Sequence, residues 1–161
     1  MSLGDLASSA LGPEKFVGGY EVQTRREMLE ALSAWQEAWD RHDLEGVMEL
    51  FHEEVLFENW TGARVKGKEK LRRAWTPWFE DHGEFRFTRE DTFIDEAQQM
   101  ALTRWRLDWP SVEKGHEGKH ETRLGVDVIR FEDGKIIEKL TYSKTTIEIE
   151  GRRIRLRALE E

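Results

Sequence analysis

The sequence contains no cysteine, which excludes disulfides, thiol nucleophiles and cysteine-ligated metals. Positive charge is in deficit. Lysine and arginine number 25 against 33 acidic residues, a net charge of −8, and this disfavours non-specific binding to nucleic acid or to an anionic membrane. No apolar run approaches the roughly 20 residues that cross a bilayer. The N-terminal stretch MSLGDLASSALGPEKF has neither the basic segment nor the continuous apolar segment of a secretory signal, so a soluble, cytoplasmic protein is expected. Phosphate loops, a Ser-His-Asp arrangement, basic aromatic surfaces and internal repeats are also missing. His116 and His120 have the spacing of two helical metal ligands, but HEGKH falls in a charged, glycine-rich loop. His42, His52 and His82 each sit at an element end, where a solvated imidazole is the plain reading. No metal site and no cofactor is expected.

What the chain does have is tryptophan, 7 residues in a sequence that is 36% charged. Each supplies a large flat contact area and one N–H that needs a partner when buried. Core filling and the lining of an apolar pocket both remain open on composition alone. The length, 161 residues, fits one domain, here residues 21–161, preceded by a small-residue, glycine-rich extension over 1–20.

The periodicity predicts a helix from Glu21 to Arg41, with Leu29, Leu32, Trp35 (or Gln36) and Trp39 at three- and four-residue steps. Asp43 reads as the N-cap of a short second helix that buries Leu44, Val47, Leu50 and Phe51. Val55 to Trp60 reads as a strand. Alternation puts Val55, Phe57 and Asn59 on one face and Leu56, Glu58 and Trp60 on the other, so the acids of LFHEEVLFENWTG do not converge. A third helix is expected over Lys68–Asp81, kinked at Pro77, with Leu71, Trp75, Trp78 and Phe79 on its apolar side. Strands follow over 84–94, 97–109, 120–131 and 135–149, the last two joined at FEDGK. The tail IEIEGRRIRLRAL can add a strand pair. Helices gathered against an antiparallel sheet make an α+β domain, a curved sheet wrapped on three helices to form a cone.

HDLEGVMELF and DVIRFEDGKI, in this order of elements, resemble the nuclear transport factor 2-like superfamily, and most of all its bacterial SnoaL-like and ketosteroid-isomerase-like members. The resemblance covers about residues 22–145. It implies a cone-shaped domain, often a homodimer, with a pocket between the concave sheet face and the helices. Isomerases, dehydratases, epoxide hydrolases, cyclases and non-enzymatic carriers share this fold, so fold does not settle function. Carried over residue by residue, the base of the ketosteroid isomerases falls on Asn59, an amide that cannot accept a proton near neutral pH. Their tyrosine donor falls on Trp35, and their hydrogen-bonding aspartic acid on Asp127. One part of three is present, which argues against a true ketosteroid isomerase. The Arg-x-Asp of the fold's epoxide hydrolases fits Arg106 and Asp108, but their last-strand acid falls on Thr141. Strand parity also turns Arg106 and Asp108 outward once Ala101, Thr103, Trp105, Leu107 and Trp109 face in.

The expected pocket lining is Leu32, Trp35, Trp39, Phe57, Asn59, Trp78, Trp105, Leu107, Asp127, Ile129 and Thr141, around a small, largely apolar molecule. For the FEDGK hairpin a three-residue loop is favoured over a two-residue turn. It pairs Asp127 with Lys139 and gathers Arg123, Asp127, Lys139, Thr141 and Ser143 at one end of the cone. Asp127 and Lys139 are the acid–base candidates, for proton transfer, elimination or hydration. A non-catalytic ligand-binding or dimeric accessory domain is the alternative. Leu140 and Tyr142, on the convex face, are expected to contact a partner chain.

Overall fold

Thr24 starts the first helix. Its hydroxyl accepts the Glu27 backbone N–H at 3.2 Å, and the Glu27 carboxylate accepts the Thr24 N–H at 2.8 Å, a reciprocal cap for two otherwise orphaned donors. The computed structural model describes residues 16–17 and 19–156. From the cap, α1 (Arg25–Asp40) buries Met28, Leu32, Trp35 and Ala38 on one stripe. The helix begins later than its periodicity predicts because residues 21–24 are held extended: the Glu21 N–H donates to Asp133 and the Gln23 N–H to Gln99, both at 2.8 Å.

Asp43 caps α2 (Leu44–Glu49), accepting the Gly46 N–H at 3.0 Å. Phe51 does not belong to this helix. It opens the strand β3 (Phe51–Glu58), which starts ahead of the expected Val55 because the Leu50 carbonyl already accepts the Ile136 N–H at 2.8 Å. After β4 (Arg64–Lys66), α3 (Lys68–Asp81) continues through Pro77. The long strands are β5 (Arg86–Asp95), β6 (Met100–Pro110), β7 (His120–Glu132) and β8 (Lys135–Ser143). The expected last strand splits at residues 144–145, and its end becomes β9 (Thr146–Ile149), which pairs with β10 (Arg152–Arg155). One sheet runs β4-β3-β8-β7-β6-β5, antiparallel except for β3 with β8, and β9 continues along β7 past the end of β8. In the N-terminal extension β1 (Phe16–Val17) pairs with β2 (Tyr20–Glu21); residues 1–15 and 18 lie outside the described residues, as do residues 157–161 of the tail.

The β7–β8 hairpin departs from the expected register. Asp133 and Gly134 both have positive φ, 54° and 72°, the geometry of a two-residue type I′ turn. Glu132 pairs with Lys135 and Phe131 with Ile136, then a bulge at Ile137 shifts the ladder to Arg130–Glu138, Ile129–Lys139 and Asp127–Thr141. The extra residue reverses the facing of everything beyond it. Ile136 and Lys139, an odd number of residues apart, are therefore both buried on the inner side.

The main core gathers α1, α2, β3 and the inner faces of β7 and β8. A second cluster, Phe85, Trp105, Leu107 and Trp109, fills the other end of the sheet.

Candidate functional site

Between α1, α3 and the inner face of the sheet lies a cavity of about 240 Å³. Its wall is aromatic because the apolar stripes of two helices meet alternate residues of the strands. Trp35, Trp39, Trp60, Trp75, Trp78 and Trp105 all line it, and Trp109 stacks behind Trp78 at 4.8 Å. Neighbouring rings meet edge-on or tilted, 5.9 Å apart for Trp35–Trp39, 5.3 Å for Trp39–Trp75 and 6.1 Å for Trp60–Trp105, the arrangements aromatic quadrupoles favour. The Trp35 N–H is consumed by the Val47 carbonyl at 3.1 Å. The indole N–H groups of Trp78 and Trp105 are buried without a partner among the described residues.

Into this wall the sheet sets one polar cluster. Asp127 stands opposite Thr103 on β6 and Thr141 on β8. The Thr141 hydroxyl donates to Asp127 Oδ1 at 2.7 Å. The Lys139 ammonium donates to the same Oδ1 at 3.1 Å and to Thr141 Oγ1 at 2.7 Å, and sits 5.0 Å over the Phe57 ring. Asp127, Lys139 and Thr141 are all buried and all line the cavity. Asp127 and Lys139 thus meet as a diagonal pair rather than directly across the ladder, brought together by the Ile137 bulge. Among the described residues Asp127 Oδ2 takes no hydrogen bond. A carboxylate held through one oxygen, with the other unengaged, can receive or deliver a proton.

Leu32, Trp35, Trp39, Phe57, Asn59, Trp78 and Trp105 reach the cavity as the sequence predicts. Asn59 follows the end of β3, and its Oδ1 accepts the Trp60 N–H at 2.8 Å, which fixes the amide. Four expected residues do not line the cavity. Leu107 is packed into the second aromatic cluster and Ile129 into the main core. Ser143, at the end of β8, donates to the Lys144 carbonyl at 3.1 Å. Arg123 belongs to a separate buried cluster: it is ion-paired with Glu121 at 3.2 Å and Glu113 at 3.1 Å, and covers the Trp60 ring at 4.6 Å. Ser111 and the Trp109 indole also donate to Glu121.

Sequence reasoning missed Gln36, Trp60, Ala74, Trp75, Phe87, Arg89 and Thr103. Alternation with Trp105 signals Thr103, and the helical step from Trp78 signals Trp75. Trp60 gives no such signal, because β3 ends at Glu58 and alternation stops there. Arg106 and Asp108 face away from the cavity and bind each other at 2.8 and 3.0 Å, so the epoxide-hydrolase arrangement is not assembled. Burial raises the Asp108 pKa, but hydrogen bonds from Arg106 and Thr122 and the charges of Arg106 and His120 outweigh it and hold the carboxyl below its ordinary value. Among the described residues no group of three His, Cys, Asp or Glu side chains could hold a metal ion, and no helix is long and apolar enough to cross a membrane.

Solved structures share this architecture. An NTF2-like protein of unknown function from Mesorhizobium loti is 26% identical, with a TM-score of 0.60 over 76% of this chain and 95% of that one. A putative polyketide cyclase from Xanthomonas campestris pv. campestris is 16% identical, with a TM-score of 0.62 over 74% and 92%. An LEH-like epoxide hydrolase of M. tuberculosis is 16% identical, with a TM-score of 0.61 over 74% and 84%. No curated protein matches the chain. The sequence matches the SnoaL-like domain family over residues 32–139, well over half its length, and the chain belongs to that family within the NTF2-like superfamily.

Proposed function

We propose that the protein binds a compact, largely apolar molecule in the tryptophan-lined cavity and that Asp127 moves a proton on it, in a proton transfer, elimination or hydration. One observation carries this reading: the Asp127–Lys139–Thr141 cluster is set into an otherwise aromatic wall, with Asp127 Oδ2 left unengaged. Lys139 and Thr141 hold the carboxylate by Oδ1 and fix its plane, the support that a positioned acid–base group needs. The fold's relatives include proteins named as a putative polyketide cyclase and an epoxide hydrolase, which supports a small-molecule site. Non-catalytic binding is the second reading, favoured by the amide at Asn59, where the isomerases of this fold carry their base. The protein is further proposed to work as a cytoplasmic homodimer.

Deuterium uptake from heavy water into the α-carbon of 1-indanone, followed by NMR, separates the two readings. Proton transfer requires exchange above the buffer rate that falls about 100-fold or more in Asp127→Asn, the usual range for loss of a general acid–base. Binding of 1-indanone, seen in tryptophan fluorescence, with no exchange above buffer would leave the non-catalytic reading standing.

A further inference from the structure

We propose that the ligand of this cavity is a planar anion, a carboxylate or an equivalent acid, whose charged group is taken by Arg89. The inference rests on the cavity reading above and adds the chemical class of the occupant. Among the described residues three ionisable side chains line the cavity, Arg89, Asp127 and Lys139. Asp127 and Lys139 neutralise one another, which leaves the charge of Arg89 uncompensated in a chain whose net charge is −8. The guanidinium has found no carboxylate among the described residues. Its Nη2 donates to the neutral Ser33 hydroxyl at 3.2 Å, and its Nη1 is buried with no partner among them. A buried guanidinium N–H without an acceptor is costly, and charge-assisted pairing with a planar oxyanion is the arrangement its fork geometry suits.

Arg89 stands directly opposite Trp105 in the β5–β6 ladder, and the Trp105 N–H is also buried and unpartnered. Two orphaned donors therefore occupy one opposed pair on one wall, while the acceptor Asp127 lies two strands over from Arg89, beside Thr103. Strand spacing and rise put Arg89 and Asp127 roughly 12 Å apart along the sheet. An acid bound at Arg89 keeps its charge away from Asp127 and lays its ring system across the tryptophans, with the far end of the molecule at the proton-transfer group.

The test compares 2-naphthoate with its neutral isostere 2-naphthamide by tryptophan fluorescence titration. Wild type is expected to prefer the naphthoate about tenfold or more, the scale of a hydrogen bond to a charged group. Arg89→Gln should bring the two probes close to equal, and Arg89→Lys should keep part of the preference. Equal binding of the two by wild type overturns the charge assignment and leaves the apolar cavity standing, as does an undiminished preference in Arg89→Gln. Loss of the preference in Lys139→Met but not in Arg89→Gln moves the anion to the other end of the cavity and overturns the proposal. If neither probe binds, the cavity reading itself falls.

Discussion

Lys139 and Gly125 show how single residues set the site. The Lys139 ammonium is buried and bonded to Asp127 and Thr141, so removing it strands a carboxylate in an aromatic wall. Lys139→Met is expected to cost about 3 kcal/mol, the scale of breaking a buried ion pair from one side. Adding Asp127→Asn should recover part of that loss, because no unpaired charge then remains; urea unfolding of the two singles and the double closes the cycle. A cost near zero in Lys139→Met would mean the pair is as good as solvated. Gly125 is small for a different reason. A Cβ built there would lie 2.2 Å from the six-membered ring of Trp105 and 2.3 Å from the Tyr142 carbonyl, closer than any real contact. Gly125→Ala is expected to destabilise by about 1–3 kcal/mol, the cost of overpacking, and to displace Trp105 from the wall, read as a shift in its emission and weaker binding of 2-naphthamide.

Among the elements, the helices were legible because their apolar residues recur at helical steps, and Asp43 carries the cap of the second; Thr24, the cap of the first, went unread, so that helix was started too early, at Glu21. The Asp127–Lys139 contact was anticipated from the wrong pairing. FEDGK supports either hairpin closure, and the order of residues does not reveal that the two-residue turn is followed by a bulge at Ile137. The buried Glu121 cluster was invisible for a related cause: ETR reads as the charged end of a hairpin, and the donors that let a carboxylate sit there come from the inward set of Trp109 and Ser111 together with Arg123. Deleting Ile137 tests the hairpin. Without the extra residue Ile136 and Lys139 stand two apart, so plain alternation keeps Lys139 and Thr141 facing in with the same partners on β7. The variant should retain both β-sheet circular dichroism and exchange into 1-indanone, and loss of exchange would mean that the bulge itself shapes the site. The neighbouring β6–β7 ladder carries a pH dependence. Asp108 has its pKa lowered in the folded chain, so the unfolded chain takes up the proton first as pH falls. Its contribution is complete above the ordinary carboxylate range and is lost as pH drops toward the folded value. Asp108→Asn is expected to flatten the fall in melting temperature below about pH 4.

On the scale of the whole molecule, the convex face of the sheet carries Leu124 and Tyr142, 39% and 51% exposed, beside half-buried Leu140, Val126 and Val128. Tyr142 pairs with Val126 and Leu140 with Val128, so the patch crosses two strands. A homodimer that covers it is proposed, and sedimentation at micromolar concentration should show Tyr142→Glu shifting it toward monomer; a wild-type chain that is monomeric there removes the claim. The same molecule is expected not to isomerise a β,γ-unsaturated ketosteroid at a rate comparable to a true ketosteroid isomerase, since Asn59 stands where the resemblance puts the base. The packing of the indoles has a spectroscopic consequence. Trp35, Trp39 and Trp75 form one chain of rings within 6 Å, and Trp78 stacks on Trp109. Chromophores so close share their excited states, so the folded protein should show an exciton couplet in the ultraviolet. That couplet belongs to the walls of the cavity rather than to the sheet, and on heating it should fade before the backbone signal if the helices lift first.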